Sequence, residues 1–254
     1  MIDERRMREL VLHFQPTVDL RTETITGFEA LARWQHPTRG LLAPREFIPL
    51  AERTGLIVPL GAWVLREACR AAVELRTSWQ HPMMSVNVAA QQVAQPDFVD
   101  VVVHALYESG LEPRLLALEI TESALLEDMA GAVHRLQALR DLGVHIAIDD
   151  FGTGYSSLAY LSRLPVDILK VDKIFVDRLG EAPRETTVTE AIFAMSRTLR
   201  LTSVAEGVEQ PEQAAWLESA ACTLGQGYLW SRPVDLGRAH DLLRTGVPRQ
   251  RTAP

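Results

Sequence analysis

Lysine is almost missing from this chain. Of its 26 basic residues only Lys170 and Lys173 are lysines, and arginine supplies the rest. Acids outnumber bases, 33 to 26, for a formal net charge of -7. A surface that grips duplex nucleic acid is normally basic, so duplex binding is not expected. A small anion can still bind where metal ions supply the positive charge. Cysteine is equally sparse. Cys69 and Cys222 form no Cys-x-x-Cys pair. That excludes a disulfide framework and fits a reducing compartment, with each thiol read as a small buried side chain.

Long apolar runs are absent too. None approaches the ~18 residues that mark a membrane span. The start, Met1 to Arg6, is charged and has no apolar stretch behind it. The expected location is cytoplasmic, as a soluble protein or as the cytoplasmic portion of a larger membrane-bound sensor. No Pro/Gly/Ser linker divides the chain. The 254 residues, 47% hydrophobic, suffice for one sizeable core. The reading is a single domain over 1–254, with 1–10 as a cut linker helix and 246–254 as a disordered tail. No histidine pair stands at metal-ligand spacing, and no Gly-x-Ser-x-Gly elbow is present. Gly152-Thr153-Gly154-Tyr155-Ser156-Ser157 imitates a dinucleotide fingerprint but lacks its third glycine.

What is present centres on Ile146 to Ser157, Ile-Ala-Ile-Asp-Asp-Phe-Gly-Thr-Gly-Tyr-Ser-Ser. A buried strand runs into two adjacent carboxylates and then a glycine turn. Side chains alternate along a strand, so Asp149 and Asp150 face apart unless the chain is already turning. Holding them together is costly without a positive charge between them, and hard divalent cations take oxygen ligands. The plainer alternative is a solvated turn in which Asp150 caps the next helix.

Strands are expected near Val11–Val18, Ile25–Trp34, Ser85–Ala89, Leu116–Thr121, Val144–Asp149, from Ile168 toward Val176, Ser203–Glu206 and Gly225–Leu229. Helices are expected near Phe47–Arg53, Pro59–Arg76, Pro96–Tyr107, Met129–Leu142, Ser156–Leu164, Arg184–Leu199, Pro211–Ala221 and Leu236–Leu243. The connection between the first two strands is too short for a parallel crossover, so that pair is antiparallel. The rest alternates strand and helix, which argues for a parallel sheet. About eight units in about 250 residues give an irregular TIM (β/α)8 barrel with an antiparallel first strand. An open doubly wound sheet is the alternative.

In such barrels chemistry sits at the C-terminal strand ends. Here those ends carry Glu29, Leu31 and Arg33; Asn87; Glu119 with Glu122 just beyond; Asp149 and Asp150; Lys170 and Asp172; Glu206 with Glu209 in the loop; and Gln226. A single acid in an apolar strand is often a structural hydrogen-bonding group. Polar groups on nearly every strand at one height are better explained by cations that relieve carboxylate repulsion. The oxygen-only set points to two divalent cations, Mg²⁺ or Mn²⁺, an arrangement suited to hydrolysing phosphate diesters.

At these residues the chain resembles the EAL domain family of bacterial cyclic di-GMP phosphodiesterases. The matching motifs are Glu29-Ala30-Leu31-x-Arg33-Trp34, Ser85-Val86-Asn87, Leu118-Glu119-Ile120-Thr121-Glu122, Asp149 to Ser157, Leu169-Lys170-Val171-Asp172, Ala205-Glu206-Gly207-Val208-Glu209 and Gln226-Gly227-Tyr228. They run in order from about Val11 to about Leu243. The resemblance implies that Glu29, Asn87, Glu119 and Asp149 bind one metal, and Asp149, Asp150 and Glu206 a second. Lys170 would contact the attacking water, Asp172 would hold Lys170, and Glu122 would anchor the Asp150–Ser157 loop. Arg33 would meet a substrate phosphate, beside Leu31. Glu209 and Gln226 would support the second-metal side.

The implied activity is metal-dependent hydrolysis of cyclic di-GMP to linear pGpG; a binding-only sensor domain is the alternative. A metal-independent glycosidase with two carboxylates leaves Asn87 and Lys170 without a role. The expected assembly is a homodimer, with a sensory or GGDEF domain as a fused or regulatory partner. The family usually has Tyr where Phe14 stands, Ser where Ile174 stands, and Gly-Cys-Asp where this chain has Ala221-Cys222-Thr223.

Overall fold

The computed structural model describes residues 9–77, 80–121, 129–152, 164–179 and 183–247. Strands β1 (Leu10–Asp19) and β2 (Ile25–His36) form the antiparallel hairpin that their short connection requires, with Gln15 opposite Glu29. The turn is closed by Asp19, whose Oδ1 accepts from the backbone N–H of Arg21 at 3.0 Å and of Thr22 at 2.7 Å. A short carboxylate that binds its own backbone is turn chemistry of this kind. A three-residue strand β3 (Gly40–Leu42) extends β2 on the outside. It escapes a sequence reading because it is too short for any periodicity to register.

From β2 the sheet continues in parallel through β4 (Met83–Asn87), β5 (Leu116–Thr121), β6 (His145–Phe151), β7 (Ile168–Val171), β8 (Thr202–Ala205) and β9 (Leu224–Gln226). Strand β1 then pairs antiparallel with β9, Thr17 opposite Gln226, and the ring closes. The result is an eight-stranded barrel in which β1 alone is reversed. Closure rules out the open doubly wound sheet.

The described α-helices are α1 (Ile48–Arg53), α2 (Ile57–Glu74), α3 (Ala90–Val93), α4 (Phe98–Ser109), α5 (Met129–Asp141), α6 (Lys173–Asp177), α7 (Pro183–Thr198), α8 (Pro211–Ser219) and α9 (Leu236–Thr245). None is long and apolar enough to cross a membrane. Helix α6 replaces the continuation of β7 toward Val176. Its cause is Asp172, whose Oδ1 accepts from the Ile174 N–H at 2.8 Å and so caps a new helix. Pro96 lies just outside α4, because Asp97 takes the N-cap position. The expected helix Ser156–Leu164 and the glycine turn from Thr153 lie outside the described residues, Leu164 excepted.

Strand parity builds the barrel in layers. Outward-facing Leu116, Leu118 and Ile120 of β5 are fully buried under the helices. Inward-facing Ala117, Ala147, Ile168 and Val204 pack with Met83 and Leu224 into a separate interior cluster. That cluster is an apolar plug. Two residues further along the same strands, and therefore on the same face, come Glu119, Asp149, Lys170, Glu206 and Gln226. The polar layer thus rests on an apolar floor, which keeps water from reaching it from below.

Both cysteines are buried and unpaired. Burial pushes Cys69 up to about 12 and Cys222 to about 11, so neither is a reactive thiolate near neutrality. Ala221 has φ 59, a left-handed conformation that glycine adopts more easily.

Candidate active site

Lys170 stands at the centre of the polar layer. Its Nζ donates to Glu119 Oε2 at 2.5 Å and lies 2.6 Å from Glu206 Oε1, 3.1 Å from Asp149 Oδ1 and 3.9 Å from Glu29 Oε2. Only 3% of its side chain is exposed. Burial alone would lower the lysine's pKa. The surrounding Glu119, Glu206, Glu29 and Asp149 carboxylates more than reverse that and hold it well above its ordinary value. The ammonium is therefore a fixed positive charge.

The carboxylates feel the opposite pressure. Glu119 is held well above the usual range by burial, with Lys170 opposing and Glu29 and Asp149 adding repulsion. Glu206 is pushed up to about 8, again by burial first and against Lys170. Glu29 is fixed from both sides: Asn87 Nδ2 donates to its Oε1 at 2.6 Å and Gln226 Nε2 to its Oε2 at 2.8 Å. One lysine cannot neutralise this many converging acids. Asp149 Oδ1 is a buried acceptor with no hydrogen bond despite its ion pair with Lys170.

The paired aspartates are brought together by a break in strand register. The β6–β7 ladder runs regularly to Ile148 opposite Leu169, then resumes only at Phe151 opposite Val171. At the break Asp150 takes φ 53, left-handed and tolerated by Asp better than by most residues. The turn re-aims Asp150 so that one carboxylate oxygen each from Asp149, Asp150 and Glu206 falls within 4.8 Å of the others. Asp150 is pushed to about 6, by burial first and then by Asp149 and Asp172, with which it shares a hydrogen bond. The next residue but one, Gly152, also has positive φ, and a Cβ there would meet the Phe175 ring at 2.6 Å.

These three oxygens could hold a metal ion. The donor set is hard and anionic, it includes a buried oxygen that accepts no hydrogen bond and is met only by the Lys170 ammonium, and it sits where excess negative charge has accumulated. It therefore fits a divalent cation of the Mg²⁺ or Mn²⁺ kind.

The remaining sequence-derived candidates lie around this centre. Arg33 is half-buried, its Nη1 donating to Ala32 O at 2.9 Å; burial lowers its pKa, and Glu29 and Tyr228 raise it. Leu31 lines a cavity of about 620 Å³ shared with Glu29, Asn87 and Glu119. A second cavity, about 280 Å³, opens on the other side of Glu29 and is lined by Gln15, Lys173, Glu206, Glu209, Gln226 and Tyr228. Asp172 caps α6 and faces Asp150, and Lys170 makes its ion pairs elsewhere. Glu209 is exposed and accepts from Lys173 Nζ at 2.5 Å. Glu122 lies outside the described residues.

Sequence reasoning missed Gln15, Tyr228 and Lys173 as cavity residues. Lys173 carried a signal, being one of only two lysines. Tyr228 closes the Gln226-Gly227-Tyr228 motif but was given no role, and Gln15 carried no signal, since its place comes from the β1–β2 pairing.

A closed barrel with a reversed first strand and an oxygen-only acidic mouth defines a class of metal-fitted (β/α) barrel. The sequence model of the EAL domain matches residues 3–233, and the chain belongs to the EAL domain family. It is 46% identical over 237 residues to the cyclic di-GMP phosphodiesterase NbdA of Pseudomonas aeruginosa, covering 93% of this chain and 30% of that protein. It is 46% identical over 229 residues to the bifunctional diguanylate cyclase/cyclic di-GMP phosphodiesterase MucR of the same organism, covering 89% of this chain and 33% of MucR. The solved MucR phosphodiesterase in complex with c-di-GMP superposes with a TM-score of 0.86 at 45% identity, covering 91% of this chain and 94% of that one. The chain spans about a third of the length of these two curated relatives.

Proposed function

We propose that this domain hydrolyses cyclic di-GMP to linear pGpG using two divalent cations, Mg²⁺ or Mn²⁺. The observation that carries the reading is the buried acid cluster around Lys170, with Asp149 Oδ1, ion-paired to Lys170 but accepting no hydrogen bond, beside Asp150 and Glu206. Glu29, Asn87, Glu119 and Asp149 are the proposed ligands of one cation, and Asp149, Asp150 and Glu206 of the other. When bound, such ions act as Lewis acids and can bring the pKa of a water from 15.7 to about 7. The phosphodiester would lie across Glu29, between the two cavities that share it. Arg33 would neutralise a phosphate oxygen there, and Leu31 would pack against the ligand.

Attack by water on phosphorus forms a new P–O bond, breaks the P–O3′ bond and opens the ring to the linear dinucleotide. Lys170 would orient the attacking water and balance charge that develops at phosphorus. Asp172 would act on that network through Asp150. Glu209 would hold the loop after β8 through Lys173, Gln226 would fix Glu29, and Glu122 would anchor the loop that follows Asp150. A homodimer is the proposed assembly, and a sensory or GGDEF domain the proposed covalent or regulatory partner. The test is incubation with cyclic di-GMP and Mg²⁺ or Mn²⁺, with products separated by chromatography. Appearance of pGpG supports hydrolysis. Tight binding with no product would move the domain to a sensor role.

A further inference from the structure

Helix α6 is only five residues long, yet it reaches both sides of the turn that aims Asp150. That turn has positive φ at Asp150, 53, and again at Gly152, 97, with Phe151 buried between them. On one side Asp172, the N-cap of α6, shares a hydrogen bond with Asp150. On the other side the Phe175 ring fills the space over Gly152, where a Cβ would stand 2.6 Å from both Cε2 and Cζ. The ring comes this close only because residue 152 has no side chain. The reaction scheme gives Phe175 no part. It is only half-buried, and the fully buried position on α6 belongs to Val176. The helix is also held from behind. Gln213 Nε2 donates to Val176 O at 3.2 Å, while its Oε1 accepts from the Glu209 and Gln210 N–H groups at 2.9 and 3.0 Å. Phe175 therefore presses on Gly152 from a braced support.

We infer that Phe175 is a positioning residue: its ring, seated on Gly152, holds the left-handed turn that brings the Asp150 carboxylate to Asp149 and Glu206. The inference rests on the metal reading above and deepens it. Aspartate tolerates a left-handed backbone but does not prefer it. The β6–β7 ladder skips Asp149 and Asp150, so on that side no strand pairing keeps the turn in place. The grip has to come from α6. The Phe175 contact carries no charge, so it persists whatever the carboxylates bind. Groups that orient a ligand set the affinity of the site, even where they touch no metal.

The experiment compares wild type with Phe175→Ala, Phe175→Met, Gly152→Ala and the Phe175→Ala/Gly152→Ala double variant. Mn²⁺ binding is measured by calorimetry, amide hydrogen exchange of residues 150–152 is followed in EDTA, and thermal melting checks folding. Phe175→Ala should weaken Mn²⁺ by about tenfold or more. It should speed exchange at residues 150–152 and leave strand β5 as in wild type. Methionine can refill the space with an adaptable side chain, so Phe175→Met should recover part of both. Gly152→Ala puts a Cβ where the ring sits. Its harm should shrink once the ring is removed, and strictly additive effects would overturn the direct contact. A Phe175→Ala protein with a lower melting temperature but wild-type Mn²⁺ affinity would make Phe175 a packing residue only and overturn the inference. A wild type that binds no Mn²⁺ would overturn the metal reading instead. The exchange comparison, made without metal, would then still decide whether Phe175 holds the turn.

Discussion

Lys170 and Lys173 each contact a glutamate at 2.5 Å, and the two contacts are worth different amounts. Lys170 has 3% of its side chain exposed and its partner Glu119 has 3%. Lys173 has 43% exposed and its partner Glu209 also 43%. Around Lys170 water is excluded and three further carboxylates converge, so each charge depends on the others. Around Lys173 water competes for every group. The lesson is that burial, and not distance, sets what an ion pair contributes.

The strongest way to break the contrast is Lys170→Met. The buried acids would lose their resident cation, a change of the kind that costs about 3–5 kcal/mol. Urea unfolding in EDTA should show that loss. In saturating Mg²⁺ or Mn²⁺ part of the stability should return, while kcat stays down by about 10²-fold or more and affinity for cyclic di-GMP changes little. Binding lost with kcat kept near wild type would make Lys170 a substrate-binding residue instead. The same logic governs the wild type: EDTA should abolish turnover, Mg²⁺ or Mn²⁺ should restore it, and Ca²⁺ should bind but support little turnover, its longer bonds misplacing the water.

Proton linkage gives the next effect. Glu206 and Asp150 have folded values raised to about 8 and about 6. In the ion-free fold they bind more protons than in the unfolded chain, so stability falls as pH rises through the window from their ordinary values, 4.5 and 3.8, up to the folded ones. Lys170, raised, stays charged throughout it. The melting temperature in EDTA should therefore drop between about pH 4 and about pH 8, and the gain on adding Mg²⁺ should be largest at the upper end. A melting temperature that rises with pH in EDTA would contradict the proposed accumulation of charge.

Much of this arrangement was legible in the sequence. An apolar residue followed two places later by an acid or lysine, as in Ala117 and Glu119 or Ile168 and Lys170, is a strand-parity signal, and it recurs on strand after strand. The count of strand–helix units favoured a barrel and the short first connection gave its antiparallel pair, but closure itself came from the β1–β9 pairing. That Glu29, Glu119, Asp149 and Glu206 share the mouth with Lys170 was legible; that Lys170 pairs with these four, and not with Asp172, was not, because the pairing is set by barrel stagger. The left-handed turn at Asp150 was not legible either: Asp is compatible with that conformation but does not demand it. Helix α6 was hidden because Ile174, Phe175 and Val176 extend an apolar run, and only the capping bond of Asp172 shows that the strand has ended.

A smaller effect provides a scale for the exposed lysine. Ala221 holds φ 59 at a position where glycine carries no Cβ penalty. Ala221→Gly should stabilise the fold by about 0.5–1 kcal/mol, the left-handed penalty less the extra chain entropy of glycine. No gain in urea unfolding would mean that the turn before β9 relaxes around the alanine.

The smallest effect should come from Lys173→Met. Methionine keeps most of the apolar stem, which packs so closely on Gly207 that a Cβ there would stand 2.3 Å from Lys173 Cγ. What is lost is the ammonium, shared between Glu209 and Asp177 at 2.5 and 3.3 Å. The Glu209 hydrogen bond raises the lysine's pKa, but with the group so open to solvent little of that becomes stability. The expected loss is about 0–1 kcal/mol, and a double-mutant cycle with Glu209→Gln should return a coupling in the same range. Raising the salt concentration should erase the coupling, since exposed pairs are screened within a Debye length, while the Lys170 cluster should be nearly indifferent to salt. A coupling above about 2 kcal/mol, or one that survives about 1 M salt, would put Lys173 in the same energetic class as Lys170 and undo the distinction between them.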